Sequence, residues 1–164
     1  MTNNNIRVGI IMGSTSDEEQ MKPCGQVLRD FDIAFEARVL SAHRTPDETV
    51  EFVSTAKARG IQVIIAAAGG AAHLAGVAAA HTDLPVIGIP IESKSLKGMD
   101  SLLSTVQMPP GIPVACVAIG TMGSKNAAHL AIRIMALGDE VLTAKLKTFK
   151  EKMRTDILSS TVNL

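Results

Sequence analysis

The 164-residue sequence contains no Trp and no Tyr, only four Phe and two Cys, and its sixteen basic and sixteen acidic residues cancel to a net charge of zero. Each shortage excludes something. Charge balance removes the electrostatic argument for nucleic acid, and so few aromatics leave almost no platform for stacking bases. No nucleic-acid partner is expected. Cys24 and Cys116 stand far apart with no C-x-x-C pair, and the histidines at 43, 73, 81 and 129 show no H-x-x-x-H spacing, so no metal is expected either. Two isolated cysteines fit a reduced, cytoplasmic setting. The opening stretch "MTNNNIRVGIIMGS" has no basic residue ahead of its apolar run, which is too short for the core of a leader peptide. Residues 61–82 carry no Asp, Glu, Lys or Arg over a length that could cross a membrane. Gly69, Gly70, His73, Gly76 and His81 interrupt them, so a buried strand and a buried helix are expected there, and no membrane partner.

What is present is a chain 46% apolar, long enough to bury a sizeable core, with no repeat, low-complexity tract or linker. One domain over 1–164 is expected, with a core at about 6–137. Short apolar runs at 6–12, 34–40, 63–67, 86–91 and 114–119 predict five strands. Helices are predicted between them, near 16–30, 46–59, 73–81, 98–107 and 123–137, with an extra C-terminal helix at about 139–158. Such alternation, with nearly continuous apolar strands, predicts a parallel sheet between two helical layers, an α/β three-layer sandwich of flavodoxin-like strand order 2-1-3-4-5.

Local signals mark the helix ends. Ser16 with Glu19, and Thr45 with Glu48, match the S/T-x-x-E capping box; Pro46 suits a first helical position and Gly60 a helix end. "KPCG", residues 22–25, predicts a kink or a broken start in the first helix. In the last helix Leu142, Leu146, Phe149, Met153 and Ile157 form a stripe opposite Lys145, Lys147, Lys150 and Lys152. That stripe fits packing on its own domain and docking on a neighbouring subunit equally well.

In a parallel α/β sheet, ligands bind at the carboxyl ends of the strands, so the loops after each strand carry the information. "GSTSD", residues 13–17, offers backbone amides and the hydroxyls of Ser14 and Ser16 at a helix start, a cradle for an anion such as phosphate. It also fits an ordinary capped helix. Asp17 would repel a phosphate and is better used accepting hydrogen bonds from ribose hydroxyls. In "SAHRTP", residues 41–46, Ser41 offers a hydroxyl, Arg44 a forked donor, and His43 a proton carrier near neutral pH. Taken alone, His43 reads as a solvated loop histidine. In "AAAGGAAHLAG", residues 66–76, Gly69 and Gly70 allow close backbone approach, and Ala71 and Ala72 make an apolar, water-poor wall beside His73. His73, His81 and His129 each also fit a buried histidine satisfying a backbone carbonyl. Ser93, Lys94 and Ser95 follow the fourth strand; Gly120, Gly123, Ser124 and Asn126 follow the fifth. Together the loops suit cofactor-free proton transfer on a small phosphorylated molecule.

"GSTSD", "SAHRTP", "AGGAAHLAG", "GIPI", "GMDSLLSTVQMPPGIPV" and "AIG", in this order over about residues 6–137, resemble the PurE family of purine biosynthesis. The resemblance implies an isomerase of IMP biosynthesis, a mutase moving a carboxylate from the exocyclic nitrogen of N5-carboxyaminoimidazole ribonucleotide to ring carbon C4, without metal or organic cofactor. It further implies a homo-octamer whose sites lie near subunit interfaces. Ser14, Asp17 and Arg44 match the family's binding positions, and His43 its catalytic histidine. With Ser16, Ser41, Gly70, Ala71 and His73 they make up the expected site. Two positions depart from the family pattern: Ala75 stands where proline is common, and Glu92 where an uncharged amide is common. Two rival readings are a direct aminoimidazole ribonucleotide carboxylase using carbon dioxide, and a non-catalytic nucleotide- or flavin-binding module. The missing Trp and Tyr weaken a flavin clamp.

Overall fold

The computed structural model describes residues 5–162; the outermost residues of the expected domain, 1–4 and 163–164, lie outside them. Five strands, β1 (Val8–Met12), β2 (Phe35–Val39), β3 (Val63–Gly69), β4 (Val86–Ile91) and β5 (Ala115–Cys116), form one sheet in the order β2-β1-β3-β4-β5. Every pairing is parallel. Among the described residues, six helices cover it: α1 (Glu18–Asp30), α2 (Pro46–Ser54), α3 (Leu74–Ala80), α4 (Met99–Val106), α5 (Gly120–Ala136) and α6 (Glu140–Leu158). The three-layer, flavodoxin-like architecture is as expected.

Side chains alternate across the sheet. Val8, Ile10 and Met12 of β1, Val63 and Ile65 of β3, and Ile87 and Ile89 of β4 meet α1, α5 and Leu142 of α6 in one core. Ile11, Ile64 and Ala66 point the other way, onto Phe52 and Val53 of α2 and Leu74 and Ala78 of α3. At Gly88 a Cβ would lie 2.5 Å from Thr105 Cγ2 and 2.8 Å from Val114 Cγ1. Only glycine lets α4 and the chain before β5 close onto β4 there.

Local expectations fail where two signals compete. The first capping box forms two residues early: Ser14 Oγ accepts from the Ser16 amide, and the Asp17 carboxylate accepts from the Ser14 amide. Thr15–Asp17 is therefore a 3-10 turn, and Ser16 with Glu19 is no cap. The second box does not form, because the Thr45 hydroxyl turns back onto Ser41. Pro46 does open α2, but the helix ends at Ser54 and a separate 3-10 turn, Lys57–Arg59, reaches left-handed Gly60. Pro23 sits inside a continuous α1. A proline lacks the N–H of the helix ladder, and next to it the buried Cys24 amide donates to Ser124 Oγ of α5 at 3.1 Å. The helix is not broken at its start, and a cross-helix bond stands beside the proline.

The fifth strand spans two residues rather than the expected six. After Gly88 O accepts from Val117 N, the next β4 residue facing β5 is Pro90, which has no N–H to extend the ladder. The chain then turns through Gly120, at φ +68, into α5, three residues before the predicted start. The C-terminal stripe packs on its own domain over part of its length. Leu142, Leu146 and Phe149 pack on the core, whereas Met153 and Ile157 are exposed.

Candidate active site

The order reversal between β1 and β3 opens a crevice at the carboxyl ends of the strands, and the loops after β1, β2, β3 and β4 line one cavity of about 470 Å³. All nine expected residues reach it: Ser14, Ser16, Asp17, Ser41, His43, Arg44, Gly70, Ala71 and His73.

The loop after β1 is held largely by itself. Gly13 N donates to Ala67 O, Asp17 N to Ser14 O, and the Ser14 and Ser16 amides are taken as described. Few amides remain for an anion, which corrects the expected backbone cradle; the hydroxyls of Ser14 and Ser16 stand 2.9 Å apart on the cavity. Asp17 is buried, and burial pushes its carboxyl above the ordinary 3.8 against the opposing pull of Ser16, the Ser14 amide and the Arg44 charge.

Arg44 joins two loops. Its guanidinium donates to Gly13 O at 2.6 Å, and its Nε to Ser41 Oγ at 3.3 Å. Ser41 Oγ also accepts from the Arg44 amide, so this hydroxyl shapes the loop. The third guanidinium nitrogen, Nη1, has no bonded partner among the described residues and remains for a ligand.

His43 and His73 meet across the cavity. His43 Nε2 lies 2.8 Å from His73 Nδ1, the rings edge to face with centroids 5.0 Å apart. One proton serves this contact, so one ring donates and the other accepts. His73 is no buried histidine bonded to a carbonyl. Of the others, exposed His81 has Nδ1 2.9 Å from Val77 O, and half-buried His129 packs on Phe31 and Phe149. Neither touches the cavity.

The expected dry wall is incomplete within one chain. Ala72 and Leu74 are buried, but Gly69 and Ala71 are exposed, because left-handed Gly70, at φ +66, carries the loop outward. Glu92 and Ser93 line the cavity, whereas Lys94, Ser95, Gly120, Gly123, Ser124 and Asn126 do not. Among the described residues, no three His, Cys, Asp or Glu side chains converge to hold a metal ion, and no helix is long and apolar enough to cross a membrane.

The family model described as AIR carboxylase matches residues 7–156. The chain belongs to that family. Among curated relatives, the N5-carboxyaminoimidazole ribonucleotide mutase of Saccharolobus solfataricus is 56% identical over 154 residues, which cover 94% of this chain and 96% of the relative. The protein of the same name from Bacillus subtilis is 54% identical over 157 residues, covering 96% and 97%. The crystal structure of Treponema denticola PurE superimposes with a TM-score of 0.83 at 31% identity, covering 92% of this chain and 93% of that one. Family membership therefore spans the whole sheet and every loop of the cavity.

Proposed function

We propose that this chain is an N5-carboxyaminoimidazole ribonucleotide mutase of purine biosynthesis, an isomerase acting on a small ribonucleotide. One observation carries the reading: in a chain of this family, His43 faces His73 at 2.8 Å on the same cavity as Ser14, Ser16 and Arg44. In the proposed roles, Arg44 and the serine hydroxyls of 14, 16 and 41 hold the phosphate, Asp17 accepts from the ribose, and Gly70, Ala71 and His73 border the reacting imidazole. Binding the remote phosphate orients the ring for reaction.

The chemistry is neutral in electrons and protons. The N5–carboxylate bond breaks, its electron pair stays on nitrogen, and carbon dioxide is released beside an electron-rich ring. N5 takes a proton from His43. C4 attacks the carbon dioxide, the new C–C bond forms, and the proton lost from C4 returns to His43. No electron carrier is required, and one imidazole suffices for both proton movements. Released carbon dioxide must not escape, so the exposed wall at Gly69 and Ala71 needs cover during turnover.

Finer readings accompany this one: a single domain over 1–164, a cytoplasmic location consistent with the two free cysteines, and a homo-octamer that would cover the open wall. The deciding experiment supplies purified protein with N5-carboxyaminoimidazole ribonucleotide, or with aminoimidazole ribonucleotide and bicarbonate. Efficient turnover of the first is expected. Turnover of only the second would replace the mutase by a direct carboxylase.

A further inference from the structure

Helix α4 lends no residue to the cavity but is bonded to two of the loops that line it. Asp100 and Ser104 lie four residues apart and therefore share one helix face, and each reaches out of the helix to a different loop. Ser104 Oγ accepts from the Ala72 amide at 3.0 Å and donates to Asp100 O at 2.8 Å. Ala72 is 2% exposed, so its N–H has no ready access to water and depends on that hydroxyl. The next residue is His73, whose amide closes onto Ala71 O at 2.8 Å and whose ring meets His43. Asp100 accepts from the Ser93 hydroxyl at 2.8 and 3.0 Å, and Ser93 lines the same cavity. Between them, buried Ser101 donates to Ile91 O at the end of β4.

We infer that Ser104, supported by Asp100, is a positioning residue that fixes the loop after β3 so that His73 stands against His43. A serine bonding back to the carbonyl four residues earlier is an ordinary helical habit. That habit does not account for the amide of Ala72, 32 residues away in sequence. The same face also holds the loop after β4, so α4 sets the distance between two walls of the cavity.

This inference rests on the mutase reading for its kinetic consequence, and the full chain provides two independent readouts. In steady-state assays with N5-carboxyaminoimidazole ribonucleotide, Ser104→Ala should lower kcat by about 10- to 100-fold with KM changed less than about threefold, as a displacement of about an ångström at the reacting groups does. Ser104→Thr, which keeps the hydroxyl, should restore most of that loss. Without substrate, the ring nitrogen NMR shifts of His43 and His73 in Ser104→Ala should move toward those of histidines with no ring-to-ring hydrogen bond. Ser104→Cys, nearly equal in size but a weak acceptor, serves if the alanine variant does not fold, and should move both readouts in the same direction. An unchanged kcat, or unchanged ring shifts in a folded variant, would overturn the inference. A wild-type protein without turnover would instead remove the mutase reading, and the ring shifts would still decide whether Ser104 positions His73.

Discussion

The rim of the sheet and the underside of α6 each hold histidine, and they use it in opposite ways. At the rim, exposed His43 and His73 meet through ring nitrogens 2.8 Å apart. Beneath α6, His129 is engaged through its ring faces and edges, with Phe149 at 4.7 Å and Phe31 at 5.9 Å between centroids. Burial, and secondarily the Arg133 charge, hold His129 below the ordinary 6.5. What separates the proposed proton carrier from the packing residue is which ring atoms are in contact, and sequence spacing does not encode that. Turnover and stability should therefore respond to different histidines.

The largest effect is expected at the rim. His43→Asn should lower kcat by about 10²- to 10⁴-fold, the usual contribution of a positioned acid or base. Because the side chain is exposed, the variant's unfolding free energy in urea melts should stay within about 0.5 kcal/mol of wild type. Steady-state kinetics and urea melts on one preparation check both. A folded variant turning over at the wild-type rate would end the role of His43, and an unfolded one would break the division between the two regions.

The next effect belongs to the other region. Phe149→Ala removes a half-buried ring that packs against both His129 and Phe31. The expected loss is about 2 kcal/mol, below the ~3–5 typical of a fully buried phenylalanine, with kcat per folded molecule unchanged. Urea denaturation followed by far-ultraviolet dichroism measures the loss. A fall in kcat at full folding would show that α6 and the rim are coupled.

The same division shows which features were legible in the sequence. Strand order, the bounds of β4, and the gathering of four loops on one rim follow from apolar runs and helix punctuation, because parallel topology leaves few alternatives. The His43–His73 contact joins positions thirty residues apart, one after β2 and one after β3, so it depends on the registers of both strands with β1 between them. Ser16 with Glu19 fits the S/T-x-x-E pattern, yet the box that forms is Ser14 with Asp17, an aspartate outside that pattern, and burial of Asp17 accompanies it. The length of the fifth strand is not legible in its own residues because it depends on Pro90 of its neighbour. Ser104 is not legible either, because a serine inside a helix carries no signal apart from its cross-loop partner.

The smallest effect tests the second histidine by pH. His129 has a folded-state pKa below its unfolded value, so between the two the unfolded chain binds more protons. Stability from this residue is present above 6.5 and is lost as pH falls through that value toward the folded pKa. The charge that acts on the ring is Arg133 on its own helix; Lys145 of α6, packed nearby through Phe31, has its ammonium held by Phe31 O and Asp32. A proton added to His129 therefore joins the Arg133 cation in a half-buried place. His129→Gln should remove this component, so the difference in urea midpoint between wild type and variant should drift with pH from 7 to 5, wild type losing more. Asp17, with its pKa raised above 3.8, and Asp139, with its own lowered by the Leu142 amide and Arg7, titrate in both proteins and cancel in that difference. Parallel midpoints across the range would place the His129 nitrogens in water, and the two regions would then no longer differ in how they hold the imidazole.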